Sequence, residues 1–117
     1  MNRRLLVALA AATAALVVAL PAQTATPTLV GTVGPGFTIT LTQGGKKVTK
    51  LKAGSYVFKI ADKASDHNFH LTGPGVNKMT TVKAKGNYTW KLTLKKGTYK
   101  FVCDPHKAFM KGSFTVS

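Results

Sequence analysis

The chain has 117 residues and a formal net charge of +14 at pH 7, with seventeen lysines and arginines against three aspartates and no glutamate. That length allows one small domain with a single core. The scarcity of carboxylates excludes paired-glutamate acid–base chemistry. There is also no glycine-rich phosphate loop and no Ser-His-Asp order.

The first element in chain order is a leader. Arg3 and Arg4 precede an apolar run from Leu5 to Leu20, followed by small residues around Pro21 and Ala25. This is the order of a secretory signal, so residues 1–25 are expected to be a signal peptide and residues 26–117 the mature domain. The cleavage point is ambiguous between Ala22 and Ala25. Retention as a membrane anchor is the alternative, but the run is short for a spanning helix. The mature form is therefore expected to be secreted or extracytoplasmic, without a transmembrane span.

From Thr26 onward fifteen lysines face three aspartates, with no arginine. Such a surface favours anionic partners by long-range attraction. Nucleic acid is not the expected one, because the lysines are dispersed and none offers the bidentate base contacts of arginine.

Apolar and polar residues then alternate at period two in several short runs, the pattern of half-buried strands. Phe37, Ile39 and Leu41 oppose Thr38, Thr40 and Thr42. Tyr56, Phe58 and Ile60 form the inward side of the next run, and Tyr88, Trp90, Leu92 and Leu94 that of a later one. Tyr99, Phe101 and Cys103 share a face, and Phe114 and Val116 close the chain. Turn signals separate the runs at Gly34–Gly36, Gln43–Gly45, Ala53–Gly54, Gly73–Gly75, Gly86–Asn87 and Lys96–Gly97. The fold expected is all-β, an antiparallel sandwich or barrel. The one possible helical turn lies near Val76 to Met79.

The chemistry concentrates near the C-terminus. The segment Tyr99-Lys-Phe101-Val-Cys103-Asp-Pro105-His106-Lys-Ala-Phe-Met110 puts a thiol, an imidazole and a thioether on one loop. Sulfur ligands beside imidazole suit copper, and a His₂Cys set with a weak axial Met is the arrangement of electron-transfer copper centres. Zinc is the competing metal, and Met110 shifts the choice to copper. A free thiol in an oxidising compartment is a liability that a bound metal removes. A second histidine must come from elsewhere, and both candidates, His67 and His70, lie in Asp66-His67-Asn68-Phe69-His70.

These residues resemble the cupredoxin family, in particular its small plastocyanin-like and amicyanin-like members. In that family a His-Asn pair ends one strand, and a Tyr-x-Phe-x-Cys-x-Pro-His segment leads to a Met and then a Gly. Here the matching residues are His67-Asn68, Tyr99, Phe101, Cys103, Pro105, His106, Met110 and Gly112. The resemblance implies a Greek-key β-sandwich and one type 1 copper per chain, with His67, Cys103, His106 and Met110 as ligands. It favours His67 over His70, since only His67 carries the following Asn. Three residues separate His106 from Met110, a spacing between those of plastocyanins and amicyanins.

The activity implied is reversible one-electron transfer between Cu(II) and Cu(I), in a monomer that is not an enzyme. His106 is the expected electron path, with Pro105, Ala108 and Phe109 as an apolar rim and lysines attracting an acidic redox partner or an anionic envelope surface. Copper sequestration without a redox partner is the second reading, and a metal-free binding sandwich the third. Asp104, directly after the cysteine, is expected to accept a hydrogen bond from Asn68.

Overall fold

Ten short strands and one 3-10 turn make up a two-sheet β-sandwich in the computed structural model, which describes residues 10–17 and 25–117. The expected signal peptide, residues 1–25, falls largely outside the described residues. Among the described residues no helix is long and apolar enough to cross a membrane.

The strands are β1 (Thr28–Val33), β2 (Ile39–Gln43), β3 (Lys46–Lys47), β4 (Lys50–Leu51), β5 (Gly54–Asp62), β6 (His70–Gly73), β7 (Val76–Met79), β8 (Gly86–Leu94), β9 (Gly97–Val102) and β10 (Lys111–Val116). One sheet has the order β3-β2-β1-β5-β8 and the other β4-β10-β9-β6-β7. Two pairings are parallel, β1 with β5 and β4 with β10, and the rest antiparallel. Both sheets are therefore mixed, because the chain changes sheet between β3 and β4, β4 and β5, β5 and β6, β7 and β8, and β8 and β9.

Alternation sorts the side chains as period two requires. Tyr56, Phe58 and Ile60 of β5 are buried, as are Trp90 and Leu94 of β8, Tyr99 and Phe101 of β9, and Phe114 and Val116 of β10. Tyr88 and Leu92 pack at the core margin, only partly buried. Within the core Phe69 stacks on Phe101 with centroids 5.4 Å apart, and Tyr99 on Phe114 at 5.2 Å. Each such pair contributes about 0.5–1.5 kcal/mol beyond the area it buries. The Tyr99 hydroxyl accepts from the Lys95 N–H at 2.9 Å and donates to the Lys95 carbonyl at 2.8 Å. It thereby pins the β8–β9 turn to the core.

Two expectations need correction. Val76–Met79 is strand β7, held by antiparallel pairing with β6; its sequence lacks alternation because the strand lies at a sheet edge and is mostly exposed. Phe37 is not an inward partner of Ile39 and Leu41. It precedes β2 and is 64% exposed, in a position that bears on the metal end.

Candidate metal centre

One end of the sandwich gathers the end of β1, the start of β6, the end of β9 and the β9–β10 loop. The loop is closed by backbone bonds: the Cys103 N–H donates to the Met110 carbonyl at 3.0 Å, and the His106 and Met110 N–H groups donate to the carbonyls of Cys103 and His106 at 3.0 and 2.8 Å. Pro105 sits inside the 3-10 turn Asp104–His106, where a missing N–H costs nothing because the first turn has no partner for it. This tight turn brings the His106 ring back over Cys103. Met110 is buried at the loop's end.

The second strand of the site is held from the opposite sheet. His67 and Asn68 lie just before β6 and are buried, 1% exposed each. The neighbouring Phe69 N–H donates to the Thr80 hydroxyl at 2.9 Å, and that hydroxyl donates to Asp62 at 3.3 Å. Asp62, at the end of β5, also accepts from the Ala64 N–H at 3.2 Å. Burial pushes the Asp62 carboxyl above the usual range, against the pull of these hydrogen bonds and of His67. Gly34, at the end of β1, has φ 73°, and a Cβ there would lie 3.1 Å from the His67 ring and 3.0 Å from Ala64. Only glycine permits both that backbone and that approach.

These supports bring three donor atoms together. His67 Nδ1 and His106 Nδ1 are 3.1 Å apart, and Cys103 Sγ is 3.6 Å from each. Cys103 is wholly buried and His106 partly exposed. A point equidistant from the three atoms lies about 2.0 Å from each, the length of a metal–imidazole bond. The donor set of one thiolate and two imidazoles fits copper, and the three side chains form a candidate site for a single ion.

Asn68 ties the two halves of the site. Its backbone N–H donates to Cys103 Sγ at 3.4 Å, its side-chain amide donates to Asp104 at 2.7 Å and to the Thr80 carbonyl at 3.4 Å, and its oxygen accepts the Asp104 N–H at 2.7 Å. The Asn68–Asp104 bond expected from the sequence is present. The donor to sulfur is the Asn68 main chain.

His70 is turned away from the donor triangle. It lies on the outer face of its sheet, with Nδ1 2.8 Å from Asp104 and Nε2 2.6 Å from the Asn77 side-chain oxygen. Although partial burial lowers its basicity, its bonds to Asp104 and Asn77 raise the His70 pKa above the usual value. Partial burial likewise works against ionisation of Asp104, but the Asn68 and His70 hydrogen bonds hold its carboxyl below the usual range. Residues 67–69 precede the strand, and Asn68 is buried instead of facing out with His70.

Sequence reasoning missed Phe37. Its ring meets His67, His106 and Phe109 edge-on at centroid distances of 5.6, 5.1 and 5.7 Å. With Phe109, 60% exposed, it walls the accessible edge of His106. No spacing rule links Phe37 to a loop seventy residues later; its run of threonines and aliphatics reads as ordinary strand. Thr80 and Asp62 were missed for a related reason, since buried polar residues look like surface ones in a sequence.

A two-sheet sandwich with a His-Cys-His donor triangle at one end defines a copper-binding β-domain of the cupredoxin type. The family model of copper binding proteins, plastocyanin/azurin family, matches residues 32–117, and the chain belongs to that family. Similar solved structures include the copper protein rusticyanin, with a TM-score of 0.58 and 16% identity over 77% of this chain and 76% of that one. Reduced rusticyanin has a TM-score of 0.54 at 18% identity, over 77% and 78%. Rusticyanin from Thiobacillus ferrooxidans has 0.50 at 20%, over 77% and 76%. At these identities the likeness concerns the fold. No curated protein is significantly similar to the chain.

Proposed function

We propose that the protein is an exported, monomeric carrier of single electrons with one type 1 copper held by His67, Cys103 and His106, and by Met110 as axial ligand. The observation that carries this reading is the triangle of His67 Nδ1, His106 Nδ1 and Cys103 Sγ, sized for one ion. Bound copper supplies the one-electron couple. The chain supplies the rest. The Asn68 N–H stabilises negative charge on Cys103 Sγ, and the Thr80–Asp62 bonds hold the His67 segment in place. Such a preformed site changes little between oxidation states.

His106 is the only one of the three donors that reaches the surface, which supports it as the path for the electron. Phe37 and Phe109 give that edge an apolar, water-excluding border. Lys107 beside it and the lysines beyond attract an acidic redox partner at a small, transient interface. The leader over residues 1–25 directs export and is removed.

The test is addition of Cu(II) to the purified protein. An intense visible thiolate-to-copper band is expected, lost in His67→Ala and in Cys103→Ala, and shifted with copper retained in Met110→Ala. A colourless wild-type protein, or equal uptake by His67→Ala, would overturn the reading.

A further inference from the structure

The charges of this domain are not evenly arranged. All three acidic side chains lie at the metal end: Asp62 closes β5, Asp66 precedes His67, and Asp104 follows Cys103. The opposite end carries none. It is formed by β4, the β4–β5 turn and the β8–β9 turn, and these present Lys50, Lys52, Lys95 and Lys96, all exposed. The registers bring the turns to one pole. Gly54 pairs with Leu94, Gly97 pairs with Val116, and the Ala53 N–H donates to the Ser117 carbonyl at 2.9 Å.

The N-terminal segment joins the domain at the same pole. Pro27 accepts a hydrogen bond from the Val57 N–H at 2.9 Å, and Ala25, Thr26 and Pro27 line a surface hollow with Ala53 and Gly54. Ala25, the first described residue of the domain, therefore lies among the lysines, at the end remote from the metal.

We propose that this lysine pole docks on an anionic phospholipid bilayer and holds the metal end pointing away from it. Charge complementarity chooses the partner: every exposed charged side chain at this pole is cationic, and an anionic bilayer is an extended surface that engages all of them at once. Distance decides whether the aspartates weaken the attraction. Nine residues of β5 at about 3.3 Å each put them roughly 30 Å away, against a Debye length of about 8 Å at physiological ionic strength. The bilayer senses the near lysines and is screened from the far carboxylates. The copper ligands take no part, so this docking stands or falls separately from the proposed electron transfer.

The experiment uses the full chain with vesicles of phosphatidylcholine alone and of phosphatidylcholine mixed equally with phosphatidylglycerol. The wild-type chain is expected to partition more strongly onto the anionic vesicles, whatever the apolar run contributes to both. Replacing Lys50, Lys52, Lys95 and Lys96 by Gln should reduce that preference by roughly two to three orders of magnitude at low salt, since each lysine near an anionic bilayer contributes about fivefold. The same change at Lys63, Lys78, Lys83 and Lys85, toward the metal end, should cost less than a tenth of that reduction. On vesicles, acetylation of Lys52, Lys95 and Lys96 should be suppressed while Lys83 and Lys85 label as in solution. Equal binding to both vesicle types, equal losses from the two sets of replacements, or tighter capture by a soluble acidic polysaccharide than by the vesicles would overturn the proposal. Unchanged circular dichroism and melting of the variants guard against misfolding as the cause.

Discussion

Replacing Asn68 by alanine should loosen the metal end even with no metal bound. The side chain is 1% exposed and makes three hydrogen bonds: one donated to the Asp104 carboxylate at 2.7 Å, one accepted from the Asp104 N–H at 2.7 Å, and a longer one donated to the Thr80 carbonyl at 3.4 Å. A bond to a charged group contributes about 1.5–3 kcal/mol and a neutral one about 0.5–1.5, so the loss is roughly 3–4 kcal/mol. For a domain of this size that corresponds to a fall in Tm of roughly 15 °C or more. The assay is thermal unfolding of the metal-free protein at neutral pH, followed by near-ultraviolet circular dichroism. Asn68→Asp sharpens the test. It keeps an acceptor for the Asp104 N–H but sets two carboxylates against each other, so its deficit should shrink as acid protonates one of them. A loss below about 1 kcal/mol for Asn68→Ala, or an Asn68→Asp deficit independent of pH, would show that Asn68 does not join the two halves of the site.

Three further outcomes follow from the same geometry. The His70 pKa is raised and the Asp104 pKa lowered on folding. Protonated His70 therefore stabilises the fold fully below its ordinary value of 6.5 and ceases to as pH rises through the folded-state value; ionised Asp104 does so above 3.8 and ceases as pH falls through its own. The stability lost in His70→Gln should be greatest between those limits and fade in alkali. Because Asp104 is 42% exposed, the size is that of a solvent-screened pair, about 0.2–1 kcal/mol; a difference that is flat with pH in denaturant titrations counts against the pair. Asp104→Ser removes a negative charge next to Cys103 and should raise the reduction potential of the copper-loaded protein, an increase that voltammetry would read directly; an unchanged or lower value removes the electrostatic argument. Gly112→Ala would drive a methyl into the buried Phe101 ring, a cost of about 1–3 kcal/mol visible as a lower denaturation midpoint, and a neutral result would mean that the Phe69–Phe101 stack yields easily.

The strands β5, β8, β9 and β10 were legible because large apolar residues recur at every second position, while the positions between them carry mostly threonine, serine or lysine. Strand β7 was not, since Val76–Met79 lies at a sheet edge where neither face must be apolar and only pairing with β6 defines it. The same division runs through the metal end. Cys103, His106 and Met110 lie on one loop, so their spacing alone announced a donor set. The remaining donor had to be chosen between two histidines three residues apart. The family resemblance favoured His67 through its following Asn, and the folded chain separates the two by burying His67 against Gly34 and turning His70 out to Asp104 and Asn77.

By itself the sequence determined the class of fold, the sulfur-bearing loop and the excess of lysine, because strand periodicity, a short ligand spacing and charge are local properties. The tertiary structure decided which imidazole completes the donor triangle, that Phe37 covers its edge, that Thr80 and Asp62 support it from behind, and that every aspartate sits at one pole with lysines alone at the other. Those are contacts between residues far apart in the chain, set by how two twisted sheets pack, and no window of sequence contains both partners.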